Sequence, residues 1–71
     1  MRSNGVLTGS VVEFDNDRGL GVVHASDESR YPFHCTAIAD GTRTIEEGSK
    51  VVFTVAAKHL GRLEATDINK V

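Results

Sequence analysis

Apolar residues fall along this chain in short runs, broken at nearly regular intervals by turn-forming clusters. That is the pattern of a small all-β sandwich or barrel. The first run, Val6 to Phe14, holds Val6, Leu7, Val11, Val12 and Phe14. It ends in Asp15-Asn16-Asp17-Arg18-Gly19, whose short polar side chains and glycine suit a tight turn. A second strand is expected over Leu20 to His24. After the polar loop Ser26-Asp27-Glu28-Ser29-Arg30 comes a third, Tyr31 to Cys35, with Tyr31, Phe33 and Cys35 on one face and Pro32 and His34 on the other. Proline cannot donate to a ladder, so this strand belongs at an edge or beside a bulge. The clearest alternation is Lys50 to Ala56, where Val51, Phe53 and Val55 oppose Lys50, Val52 and Thr54. Lys58-His59-Leu60-Gly61-Arg62 reads as a turn, and Leu63 to Ile68 closes the series.

Inward parity assigns Tyr31, Phe33, Val51, Phe53 and Val55 to the core. Val11 and Phe14 lie at opposite parity on the first strand, so burying both requires a bulge between them. Thr36 to Ser49 reads as a long connection with one apolar plug, Ile45; in so small a domain such a loop serves a purpose or contains a short helical turn. Five short strands leave two exposed edges, and closure into a barrel removes them.

Length and charge narrow the function classes. A chain of 71 residues is expected to form one domain over 1–71, because it cannot divide so small a core. Its formal net charge of -2 is not that of a tight duplex-DNA binder, although a small cationic face on an acidic body can still meet a phosphate backbone. Cys35 is the only cysteine, so no disulfide is expected, and a lone thiol suits a reducing, cytoplasmic setting. The first residues lack the apolar run of a signal peptide, and no stretch reaches the ~20 apolar residues of a membrane helix.

Candidate chemistry is sparse. His24, His34 and His59 with Cys35 lack the paired short spacing of a zinc site, so neither a metal nor another cofactor is expected. Cys35 reads as a small apolar filler. Asp27/Glu28 and Glu46/Glu47 sit in polar loops and read as solvated carboxylates rather than an acid–base pair, which leaves no catalytic residue to name and argues against an enzyme. Arg18, Arg30, Arg43, Lys58, His59 and Arg62 lie in or beside turns, where Arg18 and Arg62 are expected to share a basic rim.

The segment Gly9-Ser10-Val11-Val12-Glu13-Phe14-Asp15-Asn16-Asp17-Arg18-Gly19-Leu20-Gly21-Val22-Val23 resembles the opening of the bacterial cold-shock proteins. Tyr31-Pro32-Phe33-His34-Cys35-Thr36-Ala37-Ile38 resembles their Val-Phe-Val-His-Phe-Ser-Ala-Ile. Ile45 to Phe53 and Glu64 to Ile68 extend the likeness, which thus covers Gly9 to Ile68. The resemblance implies an all-β, five-stranded antiparallel Greek-key barrel of OB type that binds single-stranded RNA or DNA as a monomer.

Members of that family stack bases on exposed aromatics of strands one to three. Here the matching positions hold Glu13 for tryptophan, Leu20 and Val22 for phenylalanines, and Pro32 and Cys35 on the third strand, while His34 keeps a ring and Arg18 stands for the family lysine. By this resemblance the binding surface comprises Phe14, Arg18, Leu20, Val22, Pro32 and His34, with Arg62 on its rim. Losing about four of these five platforms at ~1 kcal/mol each is expected to weaken binding ~10³-fold relative to a typical member. A second reading, a protein-interaction module contacting a ribosomal or transcription component, draws on Glu13, whose carboxylate repels phosphate from the middle of that face.

Overall fold

The computed structural model describes residues 6–57 and 61–71. Five strands form one antiparallel sheet: β1 (Leu7–Asp15), β2 (Leu20–Ala25), β3 (Arg30–His34), β4 (Lys50–Ala57) and β5 (Leu63–Lys70). Their spatial order is β3-β2-β1-β4-β5. Strands β1 to β3 run as a meander, after which the chain crosses over so that β4 pairs with the outer edge of β1. The ends of the sheet meet where Ile38 and Ile68 form a parallel bridge and the Ala39 amide donates to the Ile68 carbonyl at 2.8 Å. This is the five-stranded Greek-key barrel of the OB class.

The bulge demanded by parity lies in β1. Val11 pairs with Val23 and Glu13 with Val22, so Val12 has no partner across the ladder and its side chain points outward, 38% exposed. The extra residue resets the alternation, and Val11 is fully buried while Phe14 reaches the core edge, its ring stacked on Phe33 at 5.9 Å. Pro32 lies on β3, at one end of the strand order, as a residue without an N–H requires.

Phe33, Val51 and Phe53 are buried as their parity demands, together with Val11, Val23, Ala65 and Ile68. Tyr31 and Val55 point inward but are only half-buried, because they occupy the ends of the barrel. Tyr31 sets its ring edge-on to Phe53 at 6.0 Å and donates its hydroxyl to Asp27 Oδ2 at 3.1 Å, so its polar end stays at the surface.

The third strand stops one residue earlier than alternation predicts. His34 caps a short 3₁₀ turn over Cys35–Ala37, which removes Cys35 from the strand and leaves it half-buried against the core. Its position as a small filler is explained by Gly19, where an added Cβ would stand 2.8 Å from Cys35 Sγ. The long loop carries two buried plugs, Ile38 and Ile45. Ile38 escapes the sequence pattern because it follows the helical turn directly and has no periodic neighbour.

Candidate nucleic-acid interface

The turn between β1 and β2 is built by Asp15. Its Oδ1 accepts from the amides of Asp17 (2.9 Å) and Arg18 (3.2 Å), and the Gly19 amide donates to its carbonyl at 2.8 Å. Gly19 closes the turn at φ +67°, a left-handed conformation that favours glycine. Arg18 is thereby presented outward, with Nε 3.9 Å from Asp15 Oδ2; both side chains are too exposed for this pair to hold the arginine firmly.

Strand register then arranges the outer face of β1, β2 and β3 as three rows. Ser10 stands beside His24 and Arg30; Glu13 beside Val22 and Pro32; Asp15 beside Leu20 and His34. Successive rows are two residues apart along β2 and β3, about 6.7 Å, while on β1 the bulge makes the step from Ser10 to Glu13 three residues. Between the last two rows run Phe14, Gly21 and Phe33 on the inward parity. A Cβ at Gly21 would approach the Phe33 ring to 2.5 Å and the Glu13 carbonyl to 2.8 Å. Gly21 is therefore explained by packing within the barrel, without a ligand backbone drawing near.

The two rows from Glu13 to His34 floor a groove of about 600 Å³. All seven residues expected at the surface line it: Phe14, Arg18, Leu20, Val22, Pro32, His34 and Arg62. Leu20 is 46% exposed, Val22 and Pro32 are half-buried, and His34, Arg18 and Arg62 are exposed. Phe14 contributes less than its position suggests, since one face of its ring is covered by Phe33. His34 Nδ1 accepts from the Thr36 amide at 3.2 Å and lies 3.0 Å from the Thr36 hydroxyl. That acceptor role assigns the ring proton to Nε2 in the neutral imidazole.

The rim is not basic. Glu13, Asp15, Glu47 and Glu64 line the same groove as Arg18 and Arg62, so carboxylates outnumber guanidinium groups. Sequence reasoning placed Glu13 here but missed Glu47 and Glu64. Glu47 is brought in because β4 pairs with β1 only from Leu7 to Ser10; beyond that point the loop before β4 lies along β1, and Glu47 Oε2 accepts from the Phe14 amide at 3.2 Å. No local signal in the sequence announces that contact. Arg30 ends the row beside His24, outside the groove lining, and Arg43 is likewise outside it. Lys58 and His59 lie outside the described residues.

Among the described residues, no group of three or more His, Cys, Asp and Glu side chains gathers as metal ligands would, and no helix is long and apolar enough to cross a membrane. An apolar strip on a three-stranded barrel face, edged by arginines and an imidazole, is the architecture of a binder of single-stranded chains. The chain belongs to the 'Cold-shock' DNA-binding domain family, which matches residues 7–71. It is 36% identical over 56 residues to the Major cold shock protein CspA of Bacillus cereus, covering 78% of this chain and 84% of the relative. The Major cold shock protein CspA of Bacillus anthracis matches to the same extent. Among solved structures, drosophila Unr CSD456 superposes with a TM-score of 0.79 at 26% identity, covering 97% of this chain and 28% of that longer one.

Proposed function

We propose that the protein binds single-stranded RNA or DNA in the groove formed by β1, β2 and β3, with lower affinity than aromatic-rich members of its family. The observation that carries this reading is the register: it brings Leu20, Val22, Pro32 and His34 onto one face, with Arg18 and Arg62 at its border. Bases pack on the aliphatic strip and the His34 ring, while the arginines meet phosphates. Affinity is low because aliphatic side chains replace stacking rings and four carboxylates oppose the backbone charge. Family membership favours this reading over docking of a protein on the same face. The barrel closes its own sheet ends, which suits a monomer, and a single thiol suits the cytoplasm.

A titration with an unstructured oligonucleotide at several salt concentrations tests this. The expected dissociation constant is of micromolar order or weaker, the consequence of losing most base stacking at ~1–3 kcal/mol per base. With Arg18 and Arg62 engaged, log K against log salt should slope by about -1.4 for a single strand. Nanomolar binding, or binding insensitive to salt, would contradict the proposed balance of contacts.

A further inference from the structure

The groove sorts its chemistry by strand. On the outer face β1 contributes Glu13 and Asp15, β2 contributes Val22 and Leu20, and β3 contributes Pro32 and His34. A base lying flat on the β2 side chains therefore has carboxylates along one side of its ring. A phosphate is repelled beside Glu13, whereas Arg18 stands by Asp15 at the turn, so at the Glu13 row a base edge is favoured over the backbone.

The four carboxylates are not equivalent. Asp15 is committed to its own turn, accepting from Asp17 and Arg18, and Glu47 accepts from the Phe14 amide. Glu64 stands on β5, paired with Ala56 and away from the three rows. Glu13 is exposed, carries no side-chain hydrogen bond or ion pair among the described residues, and stands directly beside Val22, with Pro32 on the far side of Val22. It is an unoccupied acceptor at the edge of the apolar strip formed by Val22 and Pro32.

We propose that Glu13 makes the groove selective for bases that present an amino group, so that cytosine binds in preference to uracil. An ionised carboxylate only accepts hydrogen bonds, and the N4 amino group of cytosine donates to it. Uracil carries the O4 acceptor at the corresponding place, which sets oxygen against oxygen, and its one base donor, N3–H, lies between two carbonyl oxygens that repel the carboxylate, whereas one N4–H of cytosine faces away from any ring acceptor. Size, ring type and phosphate charge are the same for both bases, so the preference lies in that contact. The inference rests on the nucleic-acid reading of the groove and deepens it.

Short oligocytidylate and oligouridylate of equal length, titrated at neutral pH and low ionic strength against the wild type, Glu13→Gln and Glu28→Gln, provide the test. The wild type should bind cytidylate about fivefold or more tightly than uridylate, the lower range of a good base-edge pair. Glu13→Gln should bring the two within about twofold, since an amide can turn to offer either a donor or an acceptor. It should do so mainly by tightening uridylate, while Glu28→Gln, in the β2–β3 turn and outside the groove lining, keeps the wild-type ratio. Equal affinities in the wild type, tighter uridylate binding, or a cytidylate preference that survives Glu13→Gln would overturn the assignment while leaving the groove a nucleic-acid site. Failure of both oligomers to bind would overturn the site itself.

Discussion

Glu13 and Gly21 show how differently two neighbouring positions on one face are constrained. Glu13 touches nothing that the fold needs, so Glu13→Trp should leave the barrel intact, remove a like charge and restore one stacking platform of ~1–3 kcal/mol per base. Oligonucleotide affinity should rise correspondingly in a binding titration, and an unchanged affinity in the folded variant would place the ligand elsewhere. Gly21 leaves no such freedom, because a Cβ there would stand 2.5 Å from the Phe33 ring. Gly21→Ala should cost about 1–3 kcal/mol by overpacking, read from chemical denaturation. The glycine-rich sequence around Leu20 was compatible with either a ligand or a packing role, and only the position of the Phe33 ring decides between them.

Core residues separate in the same way. Phe53 is 1% exposed, so Phe53→Ala should cost ~3–5 kcal/mol, comparable with the stability of so small a domain, and leave the protein largely unfolded. Leu20→Ala removes a side chain from the outer face and should cost under about 1 kcal/mol. Circular dichroism on the pair checks the parity assignment; an unfolded Leu20→Ala beside a folded Phe53→Ala would reverse it.

At the level of elements, strands were legible wherever apolar residues alternated, and the β1 bulge was legible from the conflict between Val11 and Phe14. Two features were not. The end of β3 is set by His34 accepting from the Thr36 amide, a capping contact that ends the alternation before Cys35. The approach of Glu47 to β1 depends on a loop whose path is fixed by long-range hydrogen bonds, including Gly48 amide to Val11 carbonyl at 2.7 Å and Val11 amide to Ser49 carbonyl at 2.9 Å.

The β2–β3 turn carries its own pH dependence. The Ser29 amide donates to Asp27 and holds its carboxyl below the ordinary value of 3.8; desolvation opposes this, and the Tyr31 hydroxyl adds a smaller lowering contribution. A carboxyl whose folded pKa is depressed contributes stability that is present above 3.8 and lost as pH falls through the lower folded value. Asp40, held by the Thr42 amide and hydroxyl, acts in the same direction. Thermal melting should therefore shift downward below about pH 4, and less steeply in Asp27→Ala than in the wild type. An identical acid slope in the two proteins would remove Asp27 from this account.

For the whole molecule, the order of turns and apolar runs was enough to anticipate the barrel, since each strand's pattern agrees with closure. Seven residues of the groove lining were named from the sequence, but Glu47 and Glu64 were not, and with them the charge of the groove went unread. Carboxylates reach it from β1, β5 and the loop before β4, three segments far apart in sequence that only the closed barrel brings together. The basic rim expected around Arg18 and Arg62 is thus a mixed one, with more carboxylates than guanidinium groups among the described residues.

The central claim is that a single strand lies across β1, β2 and β3 despite that charge. An NMR titration of the labelled protein with a short unstructured oligonucleotide at low ionic strength tests it most directly. The amides of Arg18, Leu20, Val22 and His34 should shift progressively and return as salt is added, while those of Thr54 and Thr66, on the β4–β5 ladder, stay in place. A spectrum that does not move, or shifts confined to β4 and β5, would contradict it.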